Sequence, residues 1–120
     1  MNRWIVWICY AAFWTTLLLL PGDSFEPLGW NEPSTQKMLI SKTGHVGAYA
    51  VFAWITGWLR VPARYRWMLV FLLMVHGTVT ELLQLYVIEN RHGQLEDVGL
   101  NNFGVLLGMI ASWKWWTDPN

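Results

Sequence analysis

Residues 65–88 read YRWMLVFLLMVHGTVTELLQLYVI, and no Asp, Glu, Lys or Arg interrupts them between Arg66 and Glu81. A helix of that length rises about 36 Å at 1.5 Å per residue, more than the roughly 30 Å of a bilayer's hydrocarbon core. The stretch predicts a membrane-spanning helix, and the chain around it fits that reading. Of 120 residues, 54% are hydrophobic and 13% charged, the mean hydropathy is +0.28, and ten are tryptophan. A soluble domain of this size has too much surface to hide so many apolar side chains. Indole favours the membrane interface, with an apolar body and one N–H for the wet side.

Working outward, three more apolar spans are expected, at about 4–20, 44–59 and 98–116, with the first span at 65–88 as the third in order. All belong to a single domain. Trp4 to Leu20 carries no charge and ends at Pro21-Gly22. It lacks a small-x-small cleavage signature and reads as a retained anchor. Residues 25–40 read as a loop, with a short interfacial helix near 35–40. The short link from Arg60 to Arg66 makes the second and third spans antiparallel neighbours. Arg3, Arg60, Arg64, Arg66 and Lys114 then fall on one side; Lys37, Lys42 and Arg91 fall on the other. The positive-inside rule places both termini in the cytoplasm. Trp4, Trp7, Trp58, Trp67, Trp113, Trp115 and Trp116 belong to the same basic rim. Asp23, Glu26, Glu32, Glu89, Glu96 and Asp97 form an acidic outer one. The expected architecture is an all-α four-helix transmembrane bundle with short loops, in the inner membrane.

Net charge is zero, which gives no basic excess for nucleic acid. The single cysteine, Cys9, excludes an intrachain disulfide framework and a Cys-rich zinc module.

Ionisable groups inside a membrane span cost about 2.5–3.5 kcal/mol each on insertion scales, so they mark a structural knot or a site. Here they gather at the outer end: Lys42 and His45 with Tyr49, Glu81 and Gln84, Arg91 and Asp97, then Asn101. Gly77, Glu81 and Gln84 share one helical face at i, i+4 and i+7. Asp97, Asn101, Gly104, Gly108 and Ser112 trace another, with a Gly-x-x-x-Gly that admits a neighbouring backbone. Gly44 joins Gly77, Gly104 and Gly108 as an expected helix-packing position. Asp97 is placed to cap the fourth helix and meet its positive end.

Lys42-Thr43-Gly44-His45 with Tyr49, Glu81-Leu82-Leu83-Gln84, and Arg91 followed by Asp97, Asn101, Gly104 and Gly108 resemble the VanZ-like family of small bacterial membrane proteins. The resemblance covers residues 37–112. It implies a four-helix membrane protein of the cell envelope, with a link to antibiotic resistance through the family's named member, which is associated with low-level resistance to the glycopeptide teicoplanin. His92-Gly93 after Arg91 and the doubled Asn101-Asn102 depart from the pattern.

Two readings of the polar cluster stand side by side. In one, Glu81 and Gln84 merely fix helix register through interhelical bonds, in a structural or assembly subunit. In the other, Glu81 and Asp97 accept from a ligand while Lys42, His45 and Arg91 donate to its phosphate or carboxylate, with Tyr49, Gln84 and Asn101 beside them. Membrane lipid, a cell-envelope precursor or a glycopeptide-like ligand is the expected partner. Interhelical bonds in membranes average only about 0.6 kcal/mol, which favours a site. A weaker alternative is a membrane enzyme on a lipid-linked substrate, with Glu81, His45 and Asp97 as acid–base candidates. Enzyme-type motifs such as Gly-x-Ser-x-Gly or a phosphate loop are missing from the sequence. His45, Glu81, His92 and Asp97 offer nitrogen and oxygen donors, but no pair stands at ligand spacing, so no metal or other cofactor is expected. His76 is expected to bond a neighbouring helix, and Arg60, Arg64 and Arg66 to anchor the chain at the inner interface.

Overall fold

A computed structural model describes residues 2–20, 35–88 and 95–117. Those residues form five helices: α1 Arg3–Leu19, α2 Thr35–Trp58, α3 Ala63–Tyr86, α4 Leu95–Ala111 and the short α5 Trp113–Trp116. No strand occurs among them. The described residues are all-α, as the apolar spans predict. Only α3, with 24 residues, is both long and apolar enough to cross a membrane among the described residues; α1 is apolar but has 17.

Local chemistry explains the helix ends. The Asn2 side chain caps α1 by accepting from Trp4 N at 2.9 Å. The last turn of α2 tightens through Leu59 N to Thr56 O and Arg60 N to Gly57 O, both 3.2 Å. Arg60 then adopts a left-handed conformation, φ 57°, at a position usually given to glycine. Pro62 follows and starts α3.

The boundaries differ from the sequence expectation in two places. The second helix begins at Thr35 rather than 44, absorbing the segment expected to form a separate interfacial helix. Lys42 does not end it, because its side chain reaches acids on α4. The fourth span is broken at Ser112. Its hydroxyl donates to Gly108 O at 2.7 Å and accepts from Trp116 Nε1 at 2.9 Å, so the chain turns and restarts as α5.

Side-chain pairings give the directions of the helices. Lys42 meets Glu96, His45 meets Asn101, Gly104 lies against Val46 and Gly108 against Ala50. The numbers rise together, so α2 and α4 run parallel. Arg3 bonds Trp58 O, Trp7 bonds Thr56 and Tyr10 bonds Ala48 O, so α1 is antiparallel to α2. The Arg66 to Trp116 and Asn101 to Gly77 contacts set α3 antiparallel to α4. The four long helices therefore alternate up and down, and α1 starts at the end where α5 finishes.

The seam between α2 and α4 is built on missing side chains. A Cβ on Gly104 or Gly108 would collide with Val46 O or Ala50 O, and on Gly108 it would also lie 2.8 Å from Ala53 Cβ. Gly77 is similarly filled, with Asn101 Cβ at 3.1 Å and the Tyr49 ring at 3.4 Å. Gly44 is not part of this packing: a Cβ there would meet nothing within 4 Å. The core beyond the seam comprises Tyr49, Phe52 and Ala53 of α2, Leu73 of α3, and Val105 and Met109 of α4.

Polar side chains share the interior with this apolar core, and large apolar side chains line the surface. Thr56, Arg66, Thr80, Glu81, Gln84, Asp97, Asn101 and Ser112 are buried. Trp67, Met68, Phe71, Phe103, Leu106 and Ile110 face outward, Phe71 at 67% exposure.

Arg66 departs from its expected role as an interface anchor. It is buried, donating from Nε to Val61 O at 3.0 Å and from Nη1 to Trp116 O at 2.8 Å. Trp116 is buried with it, whereas Trp4, Trp67 and Trp113 stay exposed. The guanidinium ties the α2–α3 turn to α5.

Candidate functional site

Five side chains from α2, α3 and α4 meet at the end of the bundle opposite Arg66. Lys42 and His45 stand one turn apart on α2. Asp97 and Asn101 stand one turn apart on α4, and Glu81 comes from α3. The parallel register of α2 and α4, locked by Gly104 and Gly108, brings the first two pairs together.

The hydrogen-bond network fixes their orientations. Asn101 Nδ2 donates to Gly77 O at 3.2 Å, so its Oδ1 is left facing His45 Nδ1 at 2.9 Å. An amide oxygen can only accept, which assigns the proton to Nδ1. The other ring nitrogen, Nε2, points at Asp97 Oδ2 from 3.8 Å. Asp97 Oδ1 meanwhile accepts from Lys42 Nζ at 3.3 Å. Lys42 also bonds Glu96 Oε1 at 2.5 Å. Glu81 completes the cluster: one atom each from His45, Glu81 and Asp97 lie within 4.8 Å of one another.

Burial grades across the site. Glu81 and Asn101 are each 1% exposed and Asp97 is buried, whereas the Glu96 side chain is 64% exposed. Lys42 bridges the two zones. Its bond to Glu96 raises its pKa above the usual lysine value, with Asp97 adding to the effect against a smaller opposing cost of burial. It is a cation at neutral pH. The arrangement offers a cation and a carboxylate at the rim and a histidine with two carboxyl groups within.

Asp97 does not cap α4, which begins at Leu95; it lies in the first turn, beside Glu96, where the helix dipole still favours negative charge. Other expected ligand residues are engaged elsewhere. Gln84 donates to Leu18 O at 2.7 Å and ties α3 to α1. Tyr49 OH is 2.8 Å from His76 Nδ1 and 3.2 Å from Thr80 Oγ1, and His76 Nε2 is 2.7 Å from Thr15 Oγ1. His76 thus bonds neighbouring helices, as expected, and forms a second polar knot with Tyr49. Arg91 and His92 lie outside the described residues. Glu96 is the participant that sequence reasoning left on the acidic rim. Its pairing with Lys42, 54 positions away, follows only from the alignment of α2 with α4.

Comparison with protein-family models, curated proteins and solved structures found no match.

Proposed function

We propose that the chain is an integral membrane protein of VanZ-like type, multi-pass in the inner membrane, whose outward-facing polar cluster binds the head group of a cell-envelope lipid or lipid-linked precursor. The observation that carries this reading is the meeting of Lys42, His45, Glu81 and Asp97 from three helices at one end. Lys42 would donate to a phosphate, while the carboxyl groups would accept from hydroxyls or an amine. A glycopeptide would present the same groups, which is how the reading connects to antibiotic resistance. The membrane half is supported by the large apolar side chains that α3 and α4 turn outward, a surface that water does not select. The family half rests on the motifs around Lys42, Glu81 and Asp97.

A structural reading is favoured by a separate observation. Gln84, Tyr49 and His76 all spend their polar atoms on neighbouring helices. These residues fix packing, and the binding role is confined to the Lys42, His45, Glu81, Asp97 and Glu96 group.

Native mass spectrometry of the gently extracted protein tests the binding role. The expected result is a retained lipid adduct on the wild type that is depleted in Glu81→Gln and Asp97→Asn. Equal adducts on all three, or none on the wild type, would defeat it.

A further inference from the structure

The three innermost side chains of the cluster are arranged as metal ligands usually are. In metal sites a ligating histidine donates its second ring N–H to an oxygen acceptor, which fixes the tautomer and aims the lone pair. His45 has that geometry. Its Nδ1–H donates to Asn101 Oδ1, and Asn101 is itself held by Gly77 O, so Nε2 is the nitrogen that faces Asp97. Asp97 is oriented in the same manner from its far side: Oδ1 takes the Lys42 bond and Oδ2 turns toward His45. Nε2 and Oδ2 face each other at 3.8 Å, a gap that a metal ion bonded to both would fill. The Glu81 carboxyl group enters the same space from α3, with the three donor atoms within 4.8 Å.

The separation of the His45 and Asp97 donors suits a small dication. Zinc bonds nitrogen and carboxylate oxygen at about 2.0–2.2 Å, which in a tetrahedron separates ligand atoms by about 3.4 Å. The Nε2 to Oδ2 distance is within a few tenths of an ångström of that value. An imidazole among the donors selects a first-row transition ion over magnesium or calcium, which take oxygen alone.

We propose that His45, Glu81 and Asp97 bind a divalent transition-metal ion of the zinc class. Three protein ligands leave a fourth position for water or for an oxygen of a bound head group. Only the second of these occupants rests on the lipid-binding reading above. Asn101 is a positioning residue for His45, and Lys42 for Asp97.

The full chain, purified in detergent and stripped with chelator, would be titrated with Co²⁺ and then Zn²⁺. The expected result is one Co²⁺ per chain with the visible absorption of a tetrahedral site, displaced by Zn²⁺ and lost in His45→Ala. Asn101→Ala should keep the stoichiometry and bind about 10–100-fold more weakly. Zn²⁺ should also raise the Tm of the wild type and leave that of Glu81→Gln unchanged; both proteins melted in chelator show whether the variant folds. Absence of the cobalt spectrum in folded wild type, the same spectrum in folded His45→Ala, or Mg²⁺ binding there without competition from Zn²⁺ would overturn the site. Lipid retention measured on the chelated protein separates the two readings: an adduct that persists without metal leaves lipid binding standing whatever the cobalt titration shows.

Discussion

Replacing Gly108 with alanine adds one methyl group to the face of α4 that presses on α2. The added carbon would collide with Ala50 O and lie 2.8 Å from Ala53 Cβ, so the obstacle is backbone and cannot swing aside. Overpacking of this kind costs about 1–3 kcal/mol. A backbone obstacle puts the cost at the upper end, about 2–3 kcal/mol, and the gain in helix propensity from Gly to Ala returns about 1 kcal/mol, leaving a net loss of about 1–2 kcal/mol. Gly44 is the control. It lies on α2 with open space around it, so Gly44→Ala keeps only the propensity gain of about 0.5–1 kcal/mol. Between the values for smaller and larger domains, each kcal/mol moves the Tm by about 3–6 °C at this chain length. Melts followed by circular dichroism in one detergent should therefore place Gly108→Ala several degrees below the wild type and Gly44→Ala at or above it. Shifts of the same sign and size would refute the α2–α4 seam, and with it the register that joins His45 to Asp97.

Three further outcomes follow from named contacts. Arg66→Met strips the donors from Val61 O and Trp116 O and should cost about 2–3 kcal/mol in the same melts, whereas Arg64→Ala on the outside should stay within about 0.5 kcal/mol. Tyr49→Phe removes the hydroxyl beside His76 and Thr80 and should cost about 0.6–1.2 kcal/mol, at about 0.6 kcal/mol per interhelical bond. Because Glu96 raises the Lys42 pKa, the stabilisation from that pair is fully present below lysine's ordinary value of about 10.4 and is lost only as pH rises through the higher folded value. The difference in Tm between wild type and Lys42→Met should accordingly stay constant from pH 7 to about 9 and shrink only in stronger alkali.

Helix order, the antiparallel turn at Arg60 and the small-residue face of α4 were legible in the sequence, because each depends on local pattern. The Gly-x-x-x-Gly at 104 and 108 announced a close helix contact, and the structure supplies the partner carbonyls. Gly44 misled because composition says where a helix is able to be approached, not where it is. Arg66 misled for a related reason: its neighbours Arg60 and Arg64 suggested a basic rim, while its true partner, Trp116 O, lies 50 positions away. The site divided in the same way. Lys42, His45, Asp97 and Asn101 were legible as polar residues at one end. Their pairings were not, since Nδ1 of His45 is assigned only once Asn101 is seen to spend its amide on Gly77 O. Spacing along one helix gives no pair of metal ligands; the three donors of the proposed site come from three helices. The length of α2 was hidden by Lys42, a charge that looked like an end until its acids on α4 were in view.

The central claim, a polar cluster at the outer end of helices immersed in lipid, is tested most directly by thiol labelling in intact cells. Single cysteines would be placed at Phe71, Glu96 and Thr117 after Cys9→Ser, and challenged with a membrane-impermeant maleimide. Phe71 is 67% exposed on the surface of α3, so only lipid would shield a cysteine there from a water-borne reagent. Glu96→Cys should react from outside, Thr117→Cys only after permeabilisation, and Phe71→Cys in neither state. A Phe71→Cys protein that reacts as fast as Glu96→Cys would contradict the membrane bundle, and Thr117→Cys reacting from outside while Glu96→Cys does not would turn the cluster to the cytoplasm.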